Sequence, residues 1–215
     1  GFQSYSVIPG QALHAKTLGL MTYAHIGIDV MALSSLRSSG RPDEVVRWRS
    51  EVVPRMTEND QLGRIKVRAT SIHWGGTRMY VTDQQDRVVT GLGPCTANGV
   101  VFQRQREIVC VDPIRGDLLW TRNDLPTSSE LLGDEEVVFV IPPDSKEMIV
   151  LDMIDGRTIG TRPLETTETR WATLGRRVLA WVDEKEKPEK KLRLYDAGTG
   201  KTLFERTYAA TTRGT

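Results

Sequence analysis

One short pattern occurs three times in this chain and constrains it more than any other feature: a hydrophobic strand, Asp-x-x-x-Gly, and an Arg six residues after the Gly. The copies run Ile108 to Asp112 with Gly116 and Arg122, Met148 to Asp152 with Gly156 and Arg162, and Leu192 to Asp196 with Gly200 and Arg206. Their glycines lie 40 and then 44 residues apart. The Asp-to-Gly spacing suits a tight hairpin corner. Aspartate accepts hydrogen bonds from main-chain N–H groups a little further on, and glycine supplies the positive φ that closes the turn. Each copy is therefore read as strand, corner, returning strand.

A period of this length filled by short strands predicts propeller blades and not a self-contained enzyme fold. The expected fold class is all-β: a partial β-propeller of about four four-stranded antiparallel blades, part of a larger ring. The single segment 1–215 divides into blades at about 10–52, 93–124, 127–165 and 169–208, with an insertion at about 53–92. In the clearest blade, Gly93 to Thr96 supplies the inner strand, followed by Gly99 to Arg104, Glu107 to Val111 and Asp117 to Arg122. The next reads Ser129 to Gly133, Val137 to Ile141, Met148 to Asp152 and Arg157 to Arg162, with Pro142-Pro143-Asp144-Ser145 as a strong turn. The last reads Trp171 to Gly175, Arg177 to Val182, Lys191 to Asp196 and Lys201 to Tyr208, its charged run Glu184 to Lys191 forming a solvated loop.

A degenerate copy stands at the front. Gly19 to Ala24 and Asp29 to Leu33 read as paired strands, Ser34 to Asp43 as an enlarged corner with Ser34 in place of the Asp, and Glu44 to Val52 as the outer strand. Trp48 holds the position that Trp120 and Phe204 hold later, which marks these three for blade packing; Gly160 stands there in the second full copy. The insertion is polar over Thr57 to Arg64, then strand-like over Ile65 to Ile72 and Arg78 to Asp83.

Composition excludes several functions. Lys+Arg 29 against Asp+Glu 28 leaves a net charge of +1, so no global field recruits nucleic acid or an anionic membrane. No run reaches the ~18 apolar residues that span a bilayer. Gly1 stands where an initiator Met is expected, which reads as an excerpt from a longer chain. The two cysteines, Cys95 and Cys110, make neither a disulfide framework nor a zinc pattern.

Catalytic patterns fail on inspection. Gly198-Thr199-Gly200-Lys201-Thr202 is like the end of a phosphate-binding loop, but Tyr195 stands where the leading Gly belongs and a strand follows. His14, His25 and His73 share no ligand spacing, and Asp152 with Asp155 falls inside a structural corner. No catalytic, cofactor-binding or metal residues are expected. The repeated Arg122, Arg162 and Arg206 fall at equivalent places on outer strands, where each caps a carboxylate or stacks on an adjacent blade. A basic arc for an acidic partner is the alternative.

The segment Val111-Asp112-Pro113-Ile114-Arg115-Gly116-Asp117-Leu118-Leu119-Trp120 resembles the strand–corner–strand repeat of PQQ-like β-propellers, the quinoprotein alcohol-dehydrogenase-like superfamily. Tyr195 to Phe204 resembles it too, and Leu151 to Ile159 more loosely. Leu92 through Pro143 is similar to large bacterial PQQ-like repeat proteins of unassigned function. The resemblance covers about 17–52 and 93–208. It implies the propeller fold and an extracytoplasmic setting, periplasmic or membrane-attached. Catalytic members of that superfamily use a ring-shaped disulfide between adjacent cysteines, a Trp stacked on the quinone, and calcium held by acidic and amide side chains. No adjacent cysteines occur here and no residue matches the metal ligands, so the fold carries over and the cofactor does not.

The leading functional expectation is a non-catalytic interaction scaffold within a larger bacterial protein. Its partners are another protein, further blades of the parent chain, or a second copy in a closed homodimer. The competing class is part of a PQQ-dependent oxidoreductase whose active-site residues lie outside this chain. Sugar binding on a blade face would draw on Trp74.

Overall fold

The computed structural model describes residues 12–26, 29–34, 46–51, 66–72, 76–82, 91–104, 107–126, 129–142, 145–164, 168–183 and 190–208. The enlarged corner after Ser34, the polar start of the insertion, Trp74, His73, the centre of the Pro-Pro turn and residues 184–189 lie outside them.

The described residues form 18 strands and no helix. Four antiparallel four-stranded sheets follow one another along the chain. The first holds β1 (Ala12–Leu18), β2 (Met21–Ile26), β3 (Asp29–Ser34) and β4 (Val46–Glu51). After a two-stranded hairpin, β5 (Lys66–Ile72) with β6 (Gly76–Thr82), the second holds β7 (Leu92–Cys95), β8 (Val100–Arg104), β9 (Glu107–Val111) and β10 (Leu118–Arg122). The third holds β11 (Glu130–Gly133), β12 (Val137–Ile141), β13 (Glu147–Asp152) and β14 (Thr158–Pro163). The fourth holds β15 (Glu168–Leu174), β16 (Arg177–Asp183), β17 (Lys190–Asp196) and β18 (Thr202–Tyr208). Each sheet is a simple meander, and the first strands β1, β7, β11 and β15 lie side by side in that order. The chain is an all-β partial β-propeller. The front sheet differs from the sequence reading: it has an inner strand, β1, where the reading placed none, and Gly19, at φ +56°, turns the chain between β1 and β2 and is not part of a strand.

Middle sheets are buried on both faces, which explains their nearly unbroken apolar strands. Along β9, Ile108 and Cys110 face the third sheet while Val109 and Val111 face the first. Along β12, Val138 and Val140 face the second sheet while Phe139 and Ile141 face the fourth. Three such seams, each between successive four-stranded sheets, make up the core among the described residues.

Candidate interaction surface

The Asp-x-x-x-Gly corners share one geometry. The Gly116, Gly156 and Gly200 amides donate to the carbonyls of Asp112, Asp152 and Asp196 at 2.9, 3.0 and 2.7 Å. The Asp112 carboxylate accepts the amides of Ile114 (2.8 Å) and Arg115 (2.7 Å), Asp152 that of Ile154 (2.9 Å), and Asp196 that of Thr199 (2.9 Å). Asp155 likewise accepts the Arg157 amide at 3.0 Å. These carboxylates are engaged in holding backbone. After Gly200 the chain continues as β18, where a phosphate-binding loop needs a helix.

Each corner is also a docking point for the preceding sheet. Trp48, 8% exposed, lies over Gly116, and its indole N–H donates to the Pro113 carbonyl at 3.0 Å, joined there by the Tyr23 hydroxyl at 3.1 Å. Trp120, also 8% exposed, lies over Gly156 and donates to the Met153 carbonyl at 2.9 Å. At Gly116 an added β-carbon would sit 2.6 Å from the Trp48 ring, and at Gly156 2.7 Å from the Trp120 ring. Glycine is therefore required twice over, by φ near +70° and by this close approach. Phe204 differs. It is 47% exposed, and no sheet covers it among the described residues.

The repeated arginines reach across the same seams. Arg122 donates to the Gly156 carbonyl at 2.5 Å and to Thr158, and pairs with Asp124 at 2.7 Å. Hydrogen bonding to Arg122 holds the Asp124 carboxyl below its ordinary range. Arg162 donates to the Gly198 carbonyl at 3.1 Å. Arg206 instead lies over Tyr208 of its own strand, 5.4 Å from the ring centre. At the same end as the corners, in the turns between the first and second strands of each sheet, Asn98 donates to the Glu135 carbonyl at 2.9 Å, and Arg176 binds Asp134 and Glu136, the latter at 2.6 Å.

A feature invisible to the motif reading recurs on every outer strand. Between Leu118 and Trp120, Thr158 and Gly160, Thr202 and Phe204, and Val46 and Trp48, the register slips by one residue. The extra residues are Leu119, Ile159, Leu203 and Arg47. A bulge leaves its extra residue unpaired and re-aims the side chain. Leu119, Ile159 and Leu203 are accordingly 48%, 49% and 46% exposed at the same place on three successive sheets. Ile114 and Ile154, at equivalent corner positions, are more exposed still. The sequence did carry a signal: Leu118-Leu119-Trp120 and Leu203-Phe204 break the apolar–polar alternation.

Cysteine chemistry of the quinoprotein kind does not fit. Cys95 lies on β7 and Cys110 on β9, both as free thiols. Burial pushes each thiol up to about 12, with Lys16 opposing the rise at Cys95. Lys16, its own pKa lowered by burial, donates to the Gly93 carbonyl at 2.8 Å. Both indoles at the rim are committed to docking. Among the described residues no three acidic, His or Cys side chains converge on a metal position. The register of β1 and β2 does set His14 opposite His25, a proximity their spacing hid.

No protein-family model matches the sequence, and no curated protein matches it. Solved structures of similar shape include BamB from Moraxella catarrhalis, at 17% identity over 91% of this chain and 49% of that one, TM-score 0.47. The β-propeller domain of Myceliophteria thermophila Cps50 (Swd1) is similar at 9% identity over 94% of this chain and 56% of that one, TM-score 0.48. Kuenenia stuttgartiensis hydrazine synthase follows at 10%, 93%, 50% and 0.43. The chain spans about half the length of these structures. No helix among the described residues is long and apolar enough to cross a membrane.

Proposed function

We propose that this chain is a non-catalytic interaction module, a PQQ-like β-propeller segment of a larger bacterial protein, and that its outer rim meets a protein partner. The bulged row Leu119, Ile159 and Leu203 carries the reading. Half-exposed aliphatic side chains, repeated at equivalent positions of successive sheets by one backbone device, offer the exposed apolar area on which a partner docks. The corner carboxylates support the same reading, since they hold main chain. Further blades of the parent polypeptide or a second copy complete the arc, outside the cytoplasm.

A photo-crosslinking residue at Ile159, introduced in the source cells, tests this. The expected result is one discrete protein adduct that disappears with Leu119→Glu and Leu203→Glu and never forms from a probe at exposed Lys146. No adduct, or an adduct indifferent to those substitutions, removes the rim from consideration. Uptake of PQQ with calcium and a new visible absorbance would favour the oxidoreductase class instead.

A further inference from the structure

The outward face of the fourth sheet repeats the face that the second sheet turns toward the third. In the second sheet, cross-strand partners Val101, Cys110 and Trp120 share that face, and all are buried beneath the third sheet. The corresponding partners in the fourth sheet are Leu179, Leu194 and Phe204. They are only partly buried. Arg122 and Arg206 are likewise equivalent, yet Arg122 reaches the next sheet's glycine carbonyl whereas Arg206 stacks on Tyr208.

We infer that this face is one half of a fourth inter-sheet seam, and that its occupant is a further sheet bearing an Asp-x-x-x-Gly corner, next in the same polypeptide. This rests on the scaffold reading above and names the residues that grip the incoming sheet. Phe204 lies on the corner glycine, where the absence of a β-carbon makes room for an aromatic ring, as Trp48 and Trp120 do on Gly116 and Gly156. Arg206 swings from Tyr208 to that corner's carbonyl. Every seam among the described residues joins successive four-stranded sheets of the chain, which favours an occupant in the same polypeptide. A second copy fits less well. Its first sheet carries Ser34 and Ser38 where the other corners carry Asp and Gly.

The experiment compares the 215-residue chain with one lengthened after Tyr208 by a second copy of residues 123–163. In the original chain, Phe204→Ala and Arg206→Gln each move Tm by under about 1 °C, because no sheet among the described residues presses on them. In the lengthened chain Phe204→Ala lowers Tm by about 4 °C or more. Gly→Val at the appended corner does the same, and the two losses do not add. Equal Phe204→Ala effects in both chains, or additive losses, overturn the inference. Light scattering on the original chain supplies an independent measurement: a dimer abolished by Phe204→Glu assigns the face to a second copy and also overturns it. The rim crosslink at Ile159 is read separately, so either reading can fail alone.

Discussion

The ring of Trp120 fills the space that a β-carbon on Gly156 would need, so an aromatic from one sheet and a missing side chain in the next form a single joint. The joint recurs between Trp48 and Gly116. Gly200 has the same left-handed backbone, φ +71°, but nothing lies within 4 Å of its would-be β-carbon.

That contrast separates two costs. Gly200→Ala carries only the left-handed conformational penalty, about 1 kcal/mol. Gly156→Ala adds the clash with Trp120, and the expected loss is about 3 kcal/mol. Denaturant unfolding of the two variants should show this difference. Equal losses would mean that Trp120 yields freely.

Trp120→Phe keeps an aromatic ring over Gly156 but leaves the buried Met153 carbonyl without its indole donor. A loss of about 1–2 kcal/mol follows. Trp120→Ala removes the packing as well and costs about 3–5 kcal/mol. If the Phe variant proves as unstable as the Ala variant, the hydrogen bond outweighs the ring.

Asp134 and Arg176 form one ion pair with unequal stakes. Asp134 also accepts the amides of Glu136 (3.0 Å) and Val137 (3.2 Å), so Asp134→Ala disrupts a hairpin as well as a pair. Arg176 is about one-third exposed, and solvent screening limits Arg176→Ala to about 0.5 kcal/mol. Salt near 1 M should erase most of the Arg176 effect and little of the Asp134 effect. Urea titrations of both variants with and without salt check this.

The buried thiols predict alkaline instability. Both Cys95 and Cys110 rise from 9.0 to about 12 in the folded state. The folded chain thus retains protons that the unfolded chain releases, and the thiols' contribution, complete below pH 9, is lost as pH climbs toward 12. Lys16 acts in the opposite sense, since its lowered pKa makes stability rise with pH as 10.5 is approached from below. Cys110→Ala should therefore flatten the decline measured by unfolding above pH 9. An unchanged slope would show that Cys110 does not keep its proton there.

Local chemistry was legible in the sequence, and cross-sheet chemistry was only partly so. The corners could be read because Asp112, Ile114 and Gly116 act within five residues of one another. Strand pairing followed from the apolar runs between them. The targets of Trp48 and Trp120 were hidden because the contact spans 65 and 33 residues and uses backbone carbonyls that any sequence supplies. Arg122, besides its pair with Asp124, and Arg162 also bind backbone of the next corner, a target that leaves no mark in the sequence. The bulges at Leu119, Ile159 and Leu203 were missed for another reason. A two-residue periodicity assigns every position to a face, and a register slip shows only as one apolar residue too many.

Gly160, the aromatic position left empty, makes the third seam unlike the others. Its outer margin relies on Arg162 and solvent-facing contacts, although Phe139, Val150 and Tyr195 close it further in. Amides around Asp196 to Gly200 should therefore exchange with solvent before those around Asp112 or Asp152.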